Sequence, residues 1–311
     1  MKRRIAAVVI LLLLGALVSG GWFYRRYLRL EHDDLAPNIH AVLGAGGNSV
    51  IVHGHGQTLL IDPKFPPGSA WLRRWMTGHG GPPTIIVDTH YHYDHTDGNP
   101  EYPNARIVAH RLVPDLMRQR DGAFWAQHPN AIPKTLIDDS GTIDVGGQQV
   151  ALVHPPHAHT QGDLWALVRS GDKEIVATGD LVFHTFYPFF DLGPGGADVK
   201  GTITAVRGMT AAHPHAVFVP GHGPLATAEE LNHYADYLTD LDRSVAKARR
   251  DGLSEDQAVK RIDLSRWHFS VLPSFHDRHL CWATAANNIR AVYRLQSGRG
   301  DAAHPPCSLW R

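Results

Sequence analysis

Cysteine is scarce in this chain of 311 residues, which contains only Cys281 and Cys307. So few thiols exclude a zinc module of the finger type that is built on several thiolate ligands. The two cysteines fit either one disulfide in an oxidising compartment or two free thiols, and the sequence leaves both alternatives open.

An excess of charge of either sign is also absent. The 30 lysines and arginines balance the 30 aspartates and glutamates, and they form no basic stripe. Nucleic acid is therefore not an expected partner, because its binding requires a concentrated positive surface. The chain shows no repeat of fixed period, and its 43% of hydrophobic residues is typical of a globular protein with a sizeable core.

The longest apolar run lies near the N-terminus, where residues 5–18 are hydrophobic apart from Gly15. Basic residues precede this run, and three aromatic residues and two arginines follow it. Residues 1–30 are therefore predicted to be a signal peptide or an uncleaved anchor, whose residues 5–24 are long enough to span a bilayer of about 30 Å. We favour the membrane anchor, with the rest of the chain exported to the periplasm or the extracellular side; a secreted form is the alternative.

Short strand-like runs alternate with glycine-rich turns and helical stretches after a polar linker at residues 31–37. This pattern predicts a layered α+β or α/β domain at residues 31–262, completed by a helical C-terminal extension at residues 263–311. The predicted strands are 38–43, 49–52, 58–61, 84–87, 105–109, 141–145, 148–153, 164–168, 174–177 and 216–219. The predicted helices are 69–77, 111–120, 200–212, 229–249 and 281–295.

Four potential metal ligands follow the apolar strand at residues 84–87, namely His90, His92, Asp94 and His95. Side chains alternate along a strand, so its end delivers His90 and His92 to one side. Asp94 and His95 come after the chain turns and can face a second metal. Chance clusters are expected in a chain with 22 histidines, but an acidic residue among the histidines sets this cluster apart. The spacing therefore predicts a site for two metal ions.

Three later segments each follow a predicted strand, and each offers further ligands. They are residues 154–163, which contain His154, His157 and His159; residues 178–180, which contain Asp180; and residues 220–224, which contain His222. Each segment alone is a weak signal, since Gly-Asp and Gly-His pairs are common in turns. Their order, with each segment placed at a strand end, makes the combination strong.

The series His-x-His-x-Asp-His, His-Thr-x-Gly-Asp, Gly-Asp and Gly-His-Gly resembles the metallo-β-lactamase fold superfamily of metallohydrolases over residues 38–237. The resemblance implies a four-layer αββα sandwich with two zinc ions at one edge of its sheets. It also implies that one zinc is held by His90, His92 and His159, that the other is held by Asp94, His95 and His222, and that Asp180 bridges both.

Two positions depart from the family pattern. Ala158 stands where the family has glycine before the third histidine, and we favour His159 over His157 as the ligand because Thr-x-Gly-Asp follows it. Asp180 replaces the bridging cysteine of the subclass B1 and B2 β-lactamases, which points to the thioesterase, lactonase and phosphodiesterase branches. The tail shows no glutathione-binding pattern, so the glyoxalase II branch is not favoured.

The ligand types indicate the chemistry without the family. Histidine and carboxylate suit zinc, and also iron or manganese. Seven protein ligands for two metals leave room for a bridging hydroxide, which is a nucleophile near neutral pH, and Asp94 can orient it and take part in proton transfer. The chain contains no Gly-x-Ser-x-Gly segment, the sequence pattern around the serine nucleophile of many hydrolases, and the metal-bound hydroxide makes such a nucleophile unnecessary.

The predicted function is hydrolysis of an ester, thioester, lactone, lactam or phosphodiester bond in a small-molecule substrate. The alternatives are a mononuclear iron dioxygenase of the persulfide dioxygenase type and a non-catalytic metal-binding protein. The sequence does not predict an oligomeric state.

Several other side chains are candidates for supporting roles. Asp62 and Asp88 either orient the ligand histidines or are ordinary turn and strand-end carboxylates. His184 and Tyr187 either face the substrate or pack a loop, and Asp163 is expected to bond Thr160 and hold the loop of His159 in shape.

Overall fold

Two β-sheets face each other at the centre of the protein. The computed structural model describes Gly15 and residues 17–276 and 279–298. In the first sheet β1 to β4 are antiparallel and β4 to β7 are parallel, and the strands are hydrogen-bonded in chain order. Its strands are β1 (Glu31–Ala36), β2 (Ile39–Leu43), β3 (Ser49–Gly54), β4 (Gln57–Ile61), β5 (Ile85–Val87), β6 (Arg106–His110) and β7 (Thr135–Ile137).

The second sheet has the strand order β12-β11-β10-β9-β8. Only β11 and β12 run parallel, and the other pairs are antiparallel. Its strands are β8 (Ser140–Val145), β9 (Gln148–Val153), β10 (Trp165–Ser170), β11 (Lys173–Phe183) and β12 (Val217–His222), and a separate antiparallel pair is formed by β13 (Leu272–His276) and β14 (His279–Ala283).

Eight α-helices follow β1 in the described part of the chain, and several of them cover the outer faces of the two sheets. They are α1 (Gly68–Thr77), α2 (Tyr93–Thr96), α3 (Val113–Arg120), α4 (Gly122–Gln127), α5 (Val199–Ala212), α6 (Ala228–Arg250), α7 (Glu255–Arg261) and α8 (Ala285–Gln296). Leu72 and Met76 of α1 pack on the first sheet, whereas α5 and α6 pack on the second, and α8 packs against α6, α7 and β14. The longest helix within the described residues, α6, begins at a capping box in which the side chains of Thr227 and Glu230 bond each other's backbone N–H groups.

The alternation of strand side chains explains the layers. In β3, Val50 and Val52 face the second sheet, while Ile51 between them faces α1. Leu59 and Leu60 in β4 divide between the same two cores. Strands that are buried on both faces need continuous apolar runs, which is what the sequence provides. The expected four-layer αββα sandwich is confirmed.

The structure differs from three element predictions. Residues 31–37 were expected to be a linker, but Glu31–Ala36 form the edge strand β1, whose first four side chains are exposed and so show no apolar alternation. Strand β11 continues past Ala177 to Phe183 through two register irregularities. The helix expected at residues 281–295 begins only at Ala285, because the preceding residues pair as β14 with β13.

Cys281 lies in β14, where it is buried and disulfide-bonded. Cys307 is outside the described residues. Residues 17–23 are helical and continue into a π-helical turn, Tyr24–Leu28, but most of the anchor expected at residues 5–24 lies outside the described part of the chain. Within the described part, no helix has the length and apolar character needed to cross a membrane.

Candidate metal centre

All seven predicted ligand residues meet at one edge of the sandwich. His90 and His92 lie in the loop after β5, and the short helix α2 that follows carries Asp94 and His95. The other three residues come from the second sheet: His159 from the loop between β9 and β10, Asp180 from within β11, and His222 from the last position of β12. The two sheets therefore contribute to one centre.

The first group of side chains is His90, His92, His159 and Asp180, whose potential ligand atoms all lie within 4.8 Å of one another. His92 Nδ1 is 2.9 Å from His90 Nε2 and 3.1 Å from His159 Nε2. Three ring nitrogens thus converge on one position. This arrangement is typical of histidines that share a metal ion.

The second group is Asp94, His95 and His222, which satisfies the same 4.8 Å limit. His222 Nε2 lies 3.2 Å from Asp94 Oδ2, and His95 Nε2 lies 3.9 Å from the same oxygen. The division into two groups matches the two ligand sets that the sequence implied.

Asp180 connects the two groups through its two carboxylate oxygens. Its Oδ1 is 3.1 Å from His95 Nε2 and 3.4 Å from His222 Nε2. Its Oδ2 is 3.5 Å from His159 Nε2 and 3.7 Å from His90 Nε2. One carboxylate that turns one oxygen toward each histidine set is the geometry expected of a bridging ligand.

Burial and charge at the centre fit bound metal ions. His95 Nε2 and Asp180 Oδ1 lie 3.1 Å apart without the geometry of a hydrogen bond, and neither buried atom has another hydrogen-bond partner in the described part of the chain, although such atoms are normally paired. Burial lowers the pKa of His159 to about 3, so its imidazole is neutral as metal binding requires. Burial alone would raise the pKa of Asp180, but the adjacent His222 and His95 bring it well below its usual range. Burial alone would lower the pKa of His95 and His222, but Asp180 and its neighbouring carboxylates raise the pKa of His222 to about 9 and that of His95 well above its usual range, so these two rings would each release a proton on binding a metal.

Two carboxylates outside the ligand set orient ligand histidines. Asp62 Oδ2 lies 2.7 Å from His95 Nδ1, and the same carboxylate accepts hydrogen bonds from the backbone N–H and hydroxyl of Thr89. Asp191 Oδ2 lies 3.3 Å from His92 Nε2. A carboxylate on the outer ring nitrogen fixes the tautomer that turns the other nitrogen toward a metal.

Sequence reasoning identified only one of these two carboxylates. Asp62 was one of two candidates, and the other, Asp88, instead accepts a hydrogen bond from Asn99. Asp191 was missed because it lies 99 residues from His92, and an acidic residue in a loop carries no local signal.

The loop that presents His159 is held as predicted. Asp163 accepts hydrogen bonds from the backbone N–H of Thr160 at 2.8 Å and from its hydroxyl at 2.6 Å. His157 turns away from the centre and contacts the carbonyl oxygen of Gly196. This placement agrees with the choice of His159 rather than His157.

The loop between β2 and β3 packs directly against the second group. Gly47 donates its N–H to the carbonyl of Asp94 at 3.1 Å, and a Cβ atom at Gly47 would overlap the His95 ring. The buried Lys64 stabilises this loop by donating to the carbonyls of Val42, Gly44 and Gly47. Close approach of backbone to ligand explains why glycine is needed there.

His184 and Tyr187, the predicted substrate contacts, are both largely buried. His184 contacts the carbonyl of Pro224 through Nδ1, at 3.0 Å. Tyr187 belongs to the core beneath the second sheet, where its ring packs edge-on against Tyr237 and Phe269. Packing therefore accounts for both side chains, and contact with substrate stays a prediction.

This αββα fold, with a histidine and aspartate centre at one sheet edge, defines a class of metal-dependent hydrolases. The family model of the metallo-beta-lactamase superfamily matches residues 43–222, a span that contains all seven ligand residues. The chain belongs to this superfamily.

The curated relatives are hydrolases. A probable hydroxyacylglutathione hydrolase of Schizosaccharomyces pombe is 31% identical over 195 residues, covering 61% of each chain. The human acyl-coenzyme A thioesterase MBLAC2 is 23% identical over 167 residues, covering 47% of this chain and 58% of the relative. The chain thus spans less than two thirds of the length of these relatives.

Solved structures show the same fold. A metallo-beta-lactamase from Pontibacter korlensis aligns with a TM-score of 0.56 and 22% identity, covering 68% of this chain and 99% of that one. The inverting sec-alkylsulfatase Pisa1 from Pseudomonas sp. aligns with a TM-score of 0.62 and 16% identity, covering 89% of this chain and 51% of that one. At these identities the likeness concerns the fold alone.

Proposed function

We propose that the protein is a dinuclear zinc hydrolase that cleaves the thioester bond of acyl groups carried on small thiol molecules. The observation that carries the two-metal part is the placement of Asp180, whose two oxygens face separate histidine sets. A single-metal iron centre of the dioxygenase type needs only two histidines and one aspartate, and it would leave Asp94, His95 and His222 without a role.

The thioester part of the proposal is supported by the curated relatives. Their names refer to hydroxyacylglutathione and to acyl-coenzyme A, and a further relative, from Aspergillus fumigatus, is named an atrochrysone carboxyl ACP thioesterase. Each of these carriers presents an acyl group on a thiol. Aspartate rather than cysteine at position 180 also favours this branch over the subclass B1 and B2 β-lactamases. The hydroxyacylglutathione hydrolases are the branch that the tail sequence did not favour, so the carrier itself is left to experiment.

Divalent metals held by the seven residues would lower the pKa of water and polarise the substrate carbonyl oxygen. The protein residues position and protect the reacting groups. Asp94, with 15% of its side chain exposed, is the carboxylate at the open side of the centre, where it can hold a proton for transfer to the leaving thiolate. His90 and His95 are at most 1% exposed, so the inner side of the centre excludes water.

A substrate panel tests this proposal. The purified chain is assayed against acetyl-coenzyme A, S-lactoylglutathione, a chromogenic β-lactam, a lactone and a phosphodiester, together with the variant Asp94→Ala. We expect turnover of a thioester that falls at least about 100-fold in the variant, the usual scale for losing a positioned proton-transfer group.

The variant Asp115→Ala is the matched control, because Asp115 is an exposed aspartate that pairs with Arg118 on α3. Its turnover should equal that of the unmodified chain. Turnover of the β-lactam without any thioester, or full thioester activity in Asp94→Ala, would contradict the proposal.

A further inference from the structure

Exposed apolar side chains are concentrated in one short segment, residues 17–28, which we call the N-terminal segment. Five large hydrophobic side chains are strongly exposed in the described part of the chain, and four of them belong to this segment: Leu17, Val18, Trp22 and Tyr24. Their exposed fractions run from 47% to 72%. A contiguous group of this kind marks a surface that binds something apolar.

The N-terminal segment is fixed to the domain through Tyr27. The Tyr27 hydroxyl donates to the carbonyl of Val271 at 3.1 Å, and its ring lies 6.5 Å from that of Phe186. The backbone carbonyl of Tyr27 accepts a hydrogen bond from the N–H of Ala45 at 3.3 Å. Tyr24 adds an edge-on contact with Trp71 of α1. The direction of the segment relative to the metal centre is therefore set by these contacts.

These contacts lie beside the open side of the metal centre. Three of the predicted ligands are partly accessible to solvent: His92, Asp94 and His222, with 20%, 15% and 11% of their side chains exposed. Ala45 belongs to the loop whose Gly47 bonds the carbonyl of Asp94. On the other side, the N–H of His184, two residues before Phe186, bonds the carbonyl of His222. Tyr27 thus joins the two loops that flank Asp94 and His222.

We propose that the N-terminal segment lies at a lipid surface and turns the open side of the metal centre toward that surface. Trp22 and Tyr24 are residue types that concentrate at membrane interfaces. The exposed Arg25 and Arg29 suit anionic headgroups. The sequence preceding the segment, residues 5–14, consists only of apolar residues, which a lipid phase accommodates and a soluble partner does not require.

An open side that faces lipid narrows the class of substrates that can reach the metal centre. This inference about the substrate rests on the proposed function. A centre that opens toward lipid receives substrates partitioned into the membrane more readily than substrates in bulk water. The expected substrates are therefore acyl thioesters with long hydrocarbon chains, whose chain lies in the lipid while the thioester reaches the metals.

The orientation is measured without any hydrolysis. The full chain, purified in detergent, is reconstituted into vesicles of phosphatidylcholine and phosphatidylglycerol that carry a nitroxide near the headgroup. A fluorescent probe is attached to Phe65→Cys, whose ring contacts Tyr93 at the open side, or to Asp172→Cys, an exposed turn at the opposite end of β11 from Asp180. The unmodified chain controls for labelling of its own cysteines.

We expect several-fold stronger quenching at position 65 than at position 172. Tyr27→Ala, which removes the docking contacts, should erase this difference, whereas Tyr27→Phe keeps the ring contact with Phe186 and should preserve most of it. Equal quenching at both positions, or stronger quenching at position 172, would overturn the proposal. The proposal would also be overturned if Trp22→Cys cross-linked into dimers and was not in contact with lipid. The N-terminal segment would then bind a second copy of the chain.

A second measurement addresses the substrate class. Palmitoyl-coenzyme A and acetyl-coenzyme A are compared in the same vesicles, and Tyr27→Ala should lower kcat/KM several-fold for the palmitoyl thioester while leaving the acetyl thioester unchanged. An equal loss of kcat/KM for the palmitoyl and acetyl thioesters would contradict the proposed preference for long-chain substrates. If neither coenzyme A thioester nor S-lactoylglutathione is hydrolysed, the proposed function is refuted, and the quenching result would still decide the orientation.

Discussion

Asp191 is a buried carboxylate outside the ligand set that connects His92 of the metal centre to its surroundings. Its carboxylate lies 3.3 Å from His92 Nε2 and accepts hydrogen bonds from the Tyr91 hydroxyl, from Arg120 and from the N–H of Gly193. Arg120 is itself only 13% exposed, so the two charges are buried together. Burial alone would raise the pKa of Asp191, but His92 first, and then the Arg120 guanidinium and the Tyr91 hydroxyl, hold it far below its usual range.

We predict that Asp191→Ala lowers the free energy of unfolding by about 3 kcal/mol, because it leaves the buried Arg120 charge without its partner. Metal affinity should also fall about 10-fold or more, because His92 loses the group that fixes its tautomer. Urea unfolding and zinc titration with a competing chelator measure the two effects.

The pair of Arg111 and Asp138 offers a matched control for Asp191. Its charges are 3.0 Å apart but 59% and 78% exposed, so Asp138→Ala should cost less than about 1 kcal/mol and leave zinc affinity unchanged. Equal zinc affinity in the two variants would show that Asp191 does not position His92.

Two stacked histidines provide a pH-dependent contact near the loop of His159. The rings of His110 and His154 lie 3.8 Å apart at 11°, and His154 Nδ1 donates to the carbonyl of Asp163. Burial, together with His154, lowers the pKa of His110 to about 4 from its ordinary 6.5. Between these values the unfolded chain binds more protons, so the free energy of unfolding falls as the pH falls.

His110→Phe keeps a stacked ring but removes this titration. We predict that the loss of stability between pH 6.5 and pH 4 is smaller in the variant than in the unmodified chain. The comparison uses urea unfolding of both proteins at matched pH values, so that contributions of all other groups cancel. Identical slopes in the two proteins would contradict the assignment to His110.

At the scale of elements, Asn48 connects the first sheet to the strand that carries His222. Its side-chain N–H groups donate to the carbonyls of Pro220 and Gly223 at 2.9 and 2.8 Å. Its backbone N–H donates to the carbonyl of Gly221. Its side-chain oxygen accepts from the N–H of Gly44. One buried amide thus holds the loop between β2 and β3 against the end of β12.

We predict that Asn48→Ala lowers the free energy of unfolding by about 2 kcal/mol, since one buried and two partly buried backbone groups lose a partner. The second metal should be lost more readily than the first, because only the group of Asp94, His95 and His222 depends on this contact. Metal release during stepwise chelation, followed by elemental analysis, reports the order.

Gln148 supplies the control for Asn48, because its side chain also donates to two backbone carbonyls but is exposed in a hairpin. Gln148→Ala should leave both stability and metal release close to those of the unmodified chain. Loss of both metals together from Asn48→Ala would contradict a role confined to one half of the centre.

The sequence predicts elements best where local patterns determine them. Strands β3, β4 and β5 were predictable because they are buried on both faces and therefore apolar throughout. The edge strand β1 was missed because its exposed residues are polar, and only pairing with β2 makes it a strand. The first residues of the predicted C-terminal helix belong to β14, whose partner β13 precedes it in a segment without strand-like alternation.

The ligand residues of the metal centre were predictable from local sequence, whereas Asn48 and Asp191, which support them, were not. His90 to His95 lie within one short segment, and each later ligand follows an apolar strand, so sequence order reveals them. Asn48 contacts residues 172 positions away, and Asp191 reaches back 99 positions to His92. Such contacts depend on how the two sheets pack, and no local pattern encodes them.

At the scale of the whole molecule, the metal centre joins the two sheets. Four of its side chains follow β5 in the first sheet, and three belong to the second sheet. Only Asp180 faces both histidine sets, so the central claim is that one carboxylate serves two metal ions.

Elemental analysis of the purified, unchelated protein tests this claim most directly. We predict two zinc ions per chain, falling to one or none in Asp180→Ala, because removal of the shared carboxylate weakens both sites. A single iron per chain in the unmodified protein, or two zinc ions retained in Asp180→Ala, would contradict a shared two-metal centre.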